Sequence, residues 1–379
     1  MQSYQLENLD IDTFLSEYWQ QKPVVIKGLF KDFNDPIDEN DLAGLAQESE
    51  IDARIISLHQ NKWHVQQGPI KRFDKVCRGN WTLLVQGVDK YIAEVSPILA
   101  PFSFIPHWRL DDLMVSYATE GAGVGAHIDQ YDVFLVQGKG SRRWRVGEPG
   151  NYKEVCPHPK LRQIEGFEPI IDVVVEPGDV VYVPPGWPHD GITIQDSLTY
   201  SVGYRAPDNL QLAESLAMML DKGDGNVRFT DPKRSSQSNG AYVSVKDINA
   251  LKQQLIQAIN SDDFTGALLE AMSEQGIPEY PLDDDMSLEA VSNQFAAGIG
   301  FVPAAGVRPL LCDGNAGLPR ALFVNGSQFN FNQEDTEWFE ALASGNIINA
   351  NCCLDAPSFT FLETLTTLIN NGYWEWYEE

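Results

Sequence analysis

Between Asp112 and Tyr204 the chain is a succession of short apolar segments broken by turn residues, with no room for a long helix. Strands are expected at Leu113–Ala118, His127–Asp129, Val133–Gln137, Arg142–Val146, Ile170–Val175, Val180–Val183, Gly191–Ile194 and Leu198–Tyr204. Gly138-Lys139-Gly140, Glu176-Pro177-Gly178-Asp179 and Pro184-Pro185-Gly186 punctuate them. About eight closely spaced strands of this kind specify an all-β sandwich or barrel, and a double-sheet jelly roll is the natural arrangement.

Two histidines fall at telling points in this run. Gly121-Ala122-Gly123-Val124-Gly125-Ala126 leads into His127-Ile128-Asp129, and an apolar strand followed by Pro184-Pro185-Gly186-Trp187-Pro188 leads into His189. On a strand, His127 and Asp129 share a face because side chains alternate with period two. His-x-Asp by itself more often caps a turn or makes a surface hydrogen bond. Here the glycines permit close approach of backbone to a ligand, and only six histidines exist in the chain. His189 is the best-placed third ligand. Two imidazoles and one carboxylate on one face leave three coordination positions open, the facial arrangement of non-haem Fe(II) sites.

The chain has 379 residues, enough for two or three domains, and 43% hydrophobic residues, enough for a sizeable core. Asp and Glu total 54 against 27 Lys and Arg, a net charge of −27. Such a surface repels nucleic acid and anionic membranes and attracts basic partners, although acidity also serves solubility alone. Cys77, Cys156, Cys312, Cys352 and Cys353 are scattered and odd in number, which excludes a disulfide framework and fits a reducing, cytoplasmic setting. The first ten residues carry no basic region or apolar run, so a signal peptide is not expected, and no stretch has the apolar length of a membrane span.

Upstream, Ile11–Gln21 is expected to be a helix capped by Asp12, followed by a strand at Val24–Ile26, a helix at Asp41–Gln47, a hairpin over Ile51–Val65 turning at Gln60-Asn61-Lys62, a strand at Trp81–Val85 and a short helical piece at Tyr91–Leu99. Downstream of Pro207, helices are expected after Asp208, after Asp247 and over Phe264–Gln275. The second carries an apolar stripe of Ile248, Leu251, Leu255 and Ile259 that needs a partner, either the barrel or a second subunit. Gly276–Asp285 reads as a linker. Helices at Ser287–Ala297, Glu334–Ala343 and Ser358–Asn370, with strands at Pro309–Cys312 and Ala321–Val324, suggest a winged-helix-like module. From Phe301 onward only Arg308 and Arg320 are basic against ten acidic residues, so direct binding of nucleic acid is disfavoured.

The sequence resembles the bacterial JmjC-type ribosomal oxygenases. The stretches that carry the resemblance are Tyr18–Val25, Trp108–Met114, Gly123–Phe134, Arg142–Gly147, Pro184–His189 and Tyr200–Pro207, and the likeness extends in order to Gly372-Tyr373-Trp374. It implies a mainly β fold with added helices: a double-stranded β-helix over residues 1–207, a helical dimerisation region over 208–279 and a winged-helix-like domain over 280–379. It implies Fe(II) held by His127, Asp129 and His189, with 2-oxoglutarate as cosubstrate. Arg142 matches the basic residue on the distal carboxylate of that cosubstrate, and Ser116 matches a residue beside it. Lys139 is the rival anchor, but its place between two glycines at a turn favours a surface position; Arg143, on a regular strand, would point away from Arg142. Ala126 and Ser141 stand where close relatives can carry other residues. The implied activity is hydroxylation of an arginine side chain, at Cβ, of a basic large-subunit ribosomal protein, by a cytoplasmic homodimer. The competing readings are an N-methyl-lysine demethylase with the same triad and a cupin-like metal-binding protein without catalysis.

Overall fold

A computed structural model describes residues 4, 6–223, 226–232, 234–236, 239–278, 282, 284–315 and 317–377. They form two units, Met1–Ala206 and Pro207–Glu379. The expected division at 279/280, and Pro281 of the expected linker, lie outside the described residues, as do the first three residues of the N-terminus.

The first unit is built on two antiparallel sheets. Its strands are β1 (Val24–Ile26), β2 (Ala53–His59), β3 (Lys62–Gln67), β4 (Asn80–Val85), β5 (Leu110–Ala118), β6 (His127–Ile128), β7 (Asp132–Gln137), β8 (Ser141–Gly147), β9 (Glu154–His158), β10 (Leu161–Ile164), β11 (Pro169–Val175), β12 (Val180–Val183), β13 (Pro188–Gln195) and β14 (Ser197–Tyr204). The large sheet runs β1-β12-β7-β14-β5-β4-β2-β3 and the small one β11-β8-β13-β6, the double-stranded β-helix expected. Val133, Leu135, Val181 and Val183 of the large sheet pack against Trp144, Val146 and Val175 of the small one.

The outer face of the large sheet is also covered. Phe134, Tyr182, Tyr200 and Tyr204 are buried there beneath Phe14, Phe30 and Phe102 from the preceding segments. That is why β7 and β12 read as continuous apolar runs rather than alternating ones, and why even the small polar residues of the alternating β14 are buried: both faces of these strands are covered. Asp132 is fully buried in this layer, where it accepts hydrogen bonds from Tyr182 Oη (2.6 Å), Gln20 Nε2 (2.9 Å) and Arg109 Nη2 (3.2 Å).

Local chemistry corrects several boundaries. The first helix is Ile11–Glu17 and its cap is Asp10, not Asp12, because the Asp10 carboxylate accepts from Thr13 N. Gln60 and Asn61 both take positive φ, as a two-residue hairpin turn requires, and fix the β2–β3 register. The β9–β10 hairpin was not expected; Glu154, Cys156, Pro157 and Arg162 are exposed, so its strands carry no apolar signal. His189 lies within β13 rather than ahead of a strand beginning at Gly191. Conversely, the strand expected through Asp129 ends at Ile128.

In the second unit, Asp208 caps Asn209–Lys222 with a capping box. Ser244, not Asp247, caps Val245–Ile259; Asp247 is the third helical residue and completes the box. The third helix is Asp262–Ser273, and its Leu269 packs on Cys312, Ala321 and Phe323. The C-terminal core joins Val291, Phe295, Trp338, Phe339, Phe361 and Leu365 across the helices Leu288–Ala296, Thr336–Ala343 and Phe359–Asn370. Its strands are β15 (Phe301–Pro303), β16 (Leu310–Asp313), β17 (Arg320–Val324), β18 (Ser327–Asn330) and β19 (Trp374–Trp376), in the sheets β16-β17-β18 and β15-β19. All five cysteines are free thiols. Among the described residues no helix is long and apolar enough to cross a membrane.

Candidate active site

A cleft of about 460 Å3 opens between the two sheets and is lined by His127, Asp129, His189, Ser116 and Arg142 among others. β6 pairs with β13 in the register His127↔His189, which sets the two imidazoles side by side with ring centroids 4.3 Å apart. Asp129 Oδ2 lies 3.6 Å from His127 Nε2 and 3.5 Å from His189 Nε2. One ligand atom from each of the three falls within 4.8 Å of the others.

The backbone orients each ring. His127 Nδ1–H donates to Gly125 O over 2.9 Å and His189 Nδ1–H donates to Trp187 O over 3.0 Å. Each histidine thereby presents Nε2 to the common centre, as a metal-binding imidazole must. The turn before β13 is tied to the same point, since Gly186 N donates to Asp129 O at 2.8 Å. The glycine loop lies too close to its neighbours for side chains: a Cβ at Gly123 would stand 2.4 Å from Gly191 O.

Burial opposes ionisation of Asp129, but the two facing imidazoles of His127 and His189 outweigh it and hold the carboxyl far below its usual range. His127 shows the reciprocal balance: burial pulls it down, and Asp129 more than compensates, so it is raised overall. This carboxylate between two imidazoles is the donor set that a divalent cation with open positions accepts.

Deeper in the cleft, Arg142 is 5% exposed on β8 and Ser116 is 3% exposed on β5. Burial pulls the Arg142 guanidinium down to about 10, partly countered by the field of Asp190. Nη2 donates to Thr193 Oγ1 at 3.2 Å, while Nε has no partner. The Trp144 ring lies beneath the cation, 5.6 Å from it. On the same inner wall the hydroxyls of Thr82 and Thr199 are buried without partners. A buried cation with unused donors, beside unused hydroxyls, suits a bound carboxylate.

Lys139 is not part of this pocket. It is surface-lying, and its Nζ pairs with Glu39 at 2.9 Å. Arg143 points away as the strand period requires, and is paired with Asp172; Arg145 pairs with Asp190.

Other residues of the site gave no separate signal in the sequence. Tyr131 lines the cleft beside Asp129, and its phenol is raised by burial and by the fields of Asp129 and Asp112. Asp112 shares a face of β5 with Met114 and Ser116, as their two-residue spacing dictates. Its carboxyl is pushed up to about 6 by burial and by the like charges of Asp89 and Asp111. Residues 159–162 at the tip of the β9–β10 hairpin form one wall of the cleft.

Residues 97–212 match the JmjC domain and residues 250–375 match the ROXA-like winged helix. The chain is 38% identical to the ribosomal protein uL16 3-hydroxylase of Escherichia coli (strain K12), over 98% of both chains. It is 34% identical to a probable ribosomal oxygenase of Haemophilus influenzae, over 70% of this chain and 69% of that one. The crystal structure of E. coli ycfD superposes with a TM-score of 0.93 at 36% identity, covering 99% of this chain and 100% of that one. The same ribosomal oxygenase in complex with cobalt and 2-oxoglutarate gives 0.90 at 35% identity, with the same coverage. The chain belongs to the JmjC-domain ribosomal oxygenase family.

Proposed function

We propose that this chain is a 2-oxoglutarate- and Fe(II)-dependent dioxygenase that hydroxylates Cβ of an arginine in a large-subunit ribosomal protein, a protein arginine 3-hydroxylase. The observation that carries this reading is the convergence in one cleft of a His-Asp-His face and a buried, half-satisfied guanidinium. A non-catalytic metal scaffold has no need of the second. The E. coli relative named for uL16 3-hydroxylation supplies the substrate class.

His127, Asp129 and His189 would hold the metal, with Tyr131 beside them in the cleft. Arg142 would clamp the distal carboxylate of 2-oxoglutarate, with Ser116 beside it. A guanidinium suits a bidentate carboxylate better than an ammonium does. Bound Fe(II) with 2-oxoglutarate and O2 supplies oxidative decarboxylation to succinate and CO2, coupled to insertion of one oxygen atom into a C–H bond. The apolar walls of Leu135, Val133 and Trp144 exclude water from the reacting centre. The test is succinate release that depends on Fe(II) and on a basic ribosomal-protein substrate, with a product heavier by one oxygen atom. Loss of a methyl group instead would assign a demethylase, and no release would leave only a metal-binding scaffold.

Asp112, on the face of β5 that carries Ser116, is suited to a substrate cation. Its carboxylate is desolvated and repelled by neighbouring acids, so a guanidinium relieves both costs. It is charged above about pH 6 and neutral below. The substrate KM is therefore expected to rise as pH falls through about 6, and Asp112→Asn should flatten that rise while raising KM roughly tenfold at neutral pH. An unchanged pH profile in the variant would remove Asp112 from substrate binding.

The 208–279 segment serves as a dimerisation region in this reading, followed by the winged-helix-like domain over 280–379. Ile248, Leu251, Leu255 and Ile259 are between 43% and 50% exposed, and Val245–Ile259 contains no buried residue. A second copy is the commonest cover for such a face. Leu255→Glu with Ile259→Glu is expected to yield a folded monomer by light scattering. An aggregated or unfolded product would mean that the face is covered within its own chain. A cytoplasmic enzyme with a surface of −27 fits a basic protein partner rather than RNA.

A further inference from the structure

The β9–β10 hairpin does more than wall the cleft. Gln163, on β10, is 9% exposed. Its Nε2 donates to Val124 O at 2.7 Å. One residue later, Ile164 N donates to Ala126 O at 2.8 Å. The hairpin therefore grips the carbonyls on either side of Gly125, and the carbonyl between them is the one that accepts from His127 Nδ1.

The fit at Gly125 explains why that residue has no side chain. Its φ is +81°, and a Cβ there would fall 2.2 Å from Gln163 Nε2 and 2.6 Å from Gln163 Cδ. The amide thus lies flat against the Gly125 backbone. The β9–β10 ladder shifts register between Leu161 and Gln163. Leu161, Gln163 and Ile164 are all buried while Arg162 is exposed.

We infer that Gln163 is a positioning residue for the metal ligand His127: Gln163 holds the Val124 carbonyl and Ile164 N holds the Ala126 carbonyl, and the Gly125 carbonyl fixed between them sets the tautomer and tilt of the imidazole. The inference rests on the reading of His127 as a ligand and adds to it a residue from outside the barrel strands. Partners one step removed from a metal ligand typically change metal affinity by about 10–100-fold when lost.

The decisive variant is Gln163→Met, which keeps an unbranched side chain of similar length and removes the donor. A control, Val155→Ala, loosens the same hairpin at the position paired with Gln163 without touching the glycine loop. Cobalt(II) is titrated into each full-length protein, and its visible absorption gives both affinity and ligand geometry without any turnover. Gln163→Met is expected to weaken Co(II) binding by about tenfold or more and to alter the band shape, with Val155→Ala unchanged. Gln163→Asn, which keeps the amide on a shorter arm, should fall between them. If Gln163→Met binds Co(II) as the wild type does, or if Val155→Ala loses as much, Gln163 is only packing. If the wild type itself binds no Co(II), the metal reading fails and this inference falls with it. Should Gln163→Met not fold, Gln163→Asn with wild-type affinity and spectrum is sufficient to overturn the inference.

Discussion

Asp129→Ala, and equally His127→Ala, is expected to abolish turnover while the protein stays folded. Loss of a second-layer partner alone costs about 10–100-fold in metal affinity, so loss of a ligand should exceed about 10^3-fold in activity at limiting iron. The fold should tolerate the change because the triad sits at the cleft, between the partly exposed strand β6 and the start of β13, rather than among the apolar clusters. A catalytic site with open positions is also not what a chain is folded around, unlike a closed structural site. The measurements are succinate release at saturating iron and far-ultraviolet circular dichroism on the same samples. Normal turnover by either variant at saturating iron would remove the triad from the chemistry.

Arg142→Ala is expected to raise the apparent 2-oxoglutarate requirement by roughly 150- to 5,000-fold, with little change in metal binding, since truncating one side of a buried charge pair costs about 3–5 kcal/mol. The effect should be larger than at an exposed pair because Arg142 is almost fully buried. Lys139→Ala is the comparison. Its ammonium is paired at the surface with Glu39, so that variant should behave as wild type. A larger effect at Lys139 would overturn the choice of anchor. The free protein should also respond: without bound carboxylate, Arg142 carries an unpartnered Nε, so its removal need not lower the melting temperature.

The triad was legible because it depends on two short-range rules. The two-residue spacing of His127 and Asp129 pointed to a shared face, although β6 ends at Ile128 and the Gly186 N–H holds the Asp129 carbonyl beyond it, and the Pro-Gly turn before His189 marks the third member. The valine-rich runs of β7 and β12 likewise announced buried strands. What the sequence hid was whatever depends on contact rather than on pattern. Strand β9 has no buried residue and β10 is only four residues long, so no hydrophobic period marks the hairpin. Gln163 is one glutamine among many until the glycine loop is laid against it. Tyr131 and Asp112 sit inside matching stretches, but their parts in the site arise from where they meet Asp129 and one another. Helix caps were missed by two residues at Asp10 rather than Asp12 and by three at Ser244 rather than Asp247, because several acceptors compete at each start and only backbone geometry selects one.

The pairing of β1 with β12 bears on how this chain is made. Val24 lies against Tyr182, so the edge strand laid down first on the ribosome has its hydrogen-bond partner more than 150 residues later. At about 5–20 residues per second, the wait is roughly 8–30 s, with Phe14, Trp19 and Phe30 lacking the sheet that buries them. Such distant pairing also slows the closing of the barrel once the chain is free. The N-terminal segment is therefore the part most in need of a chaperone during synthesis. A circular permutant that places residues 1–30 after residue 206 should shorten that exposure.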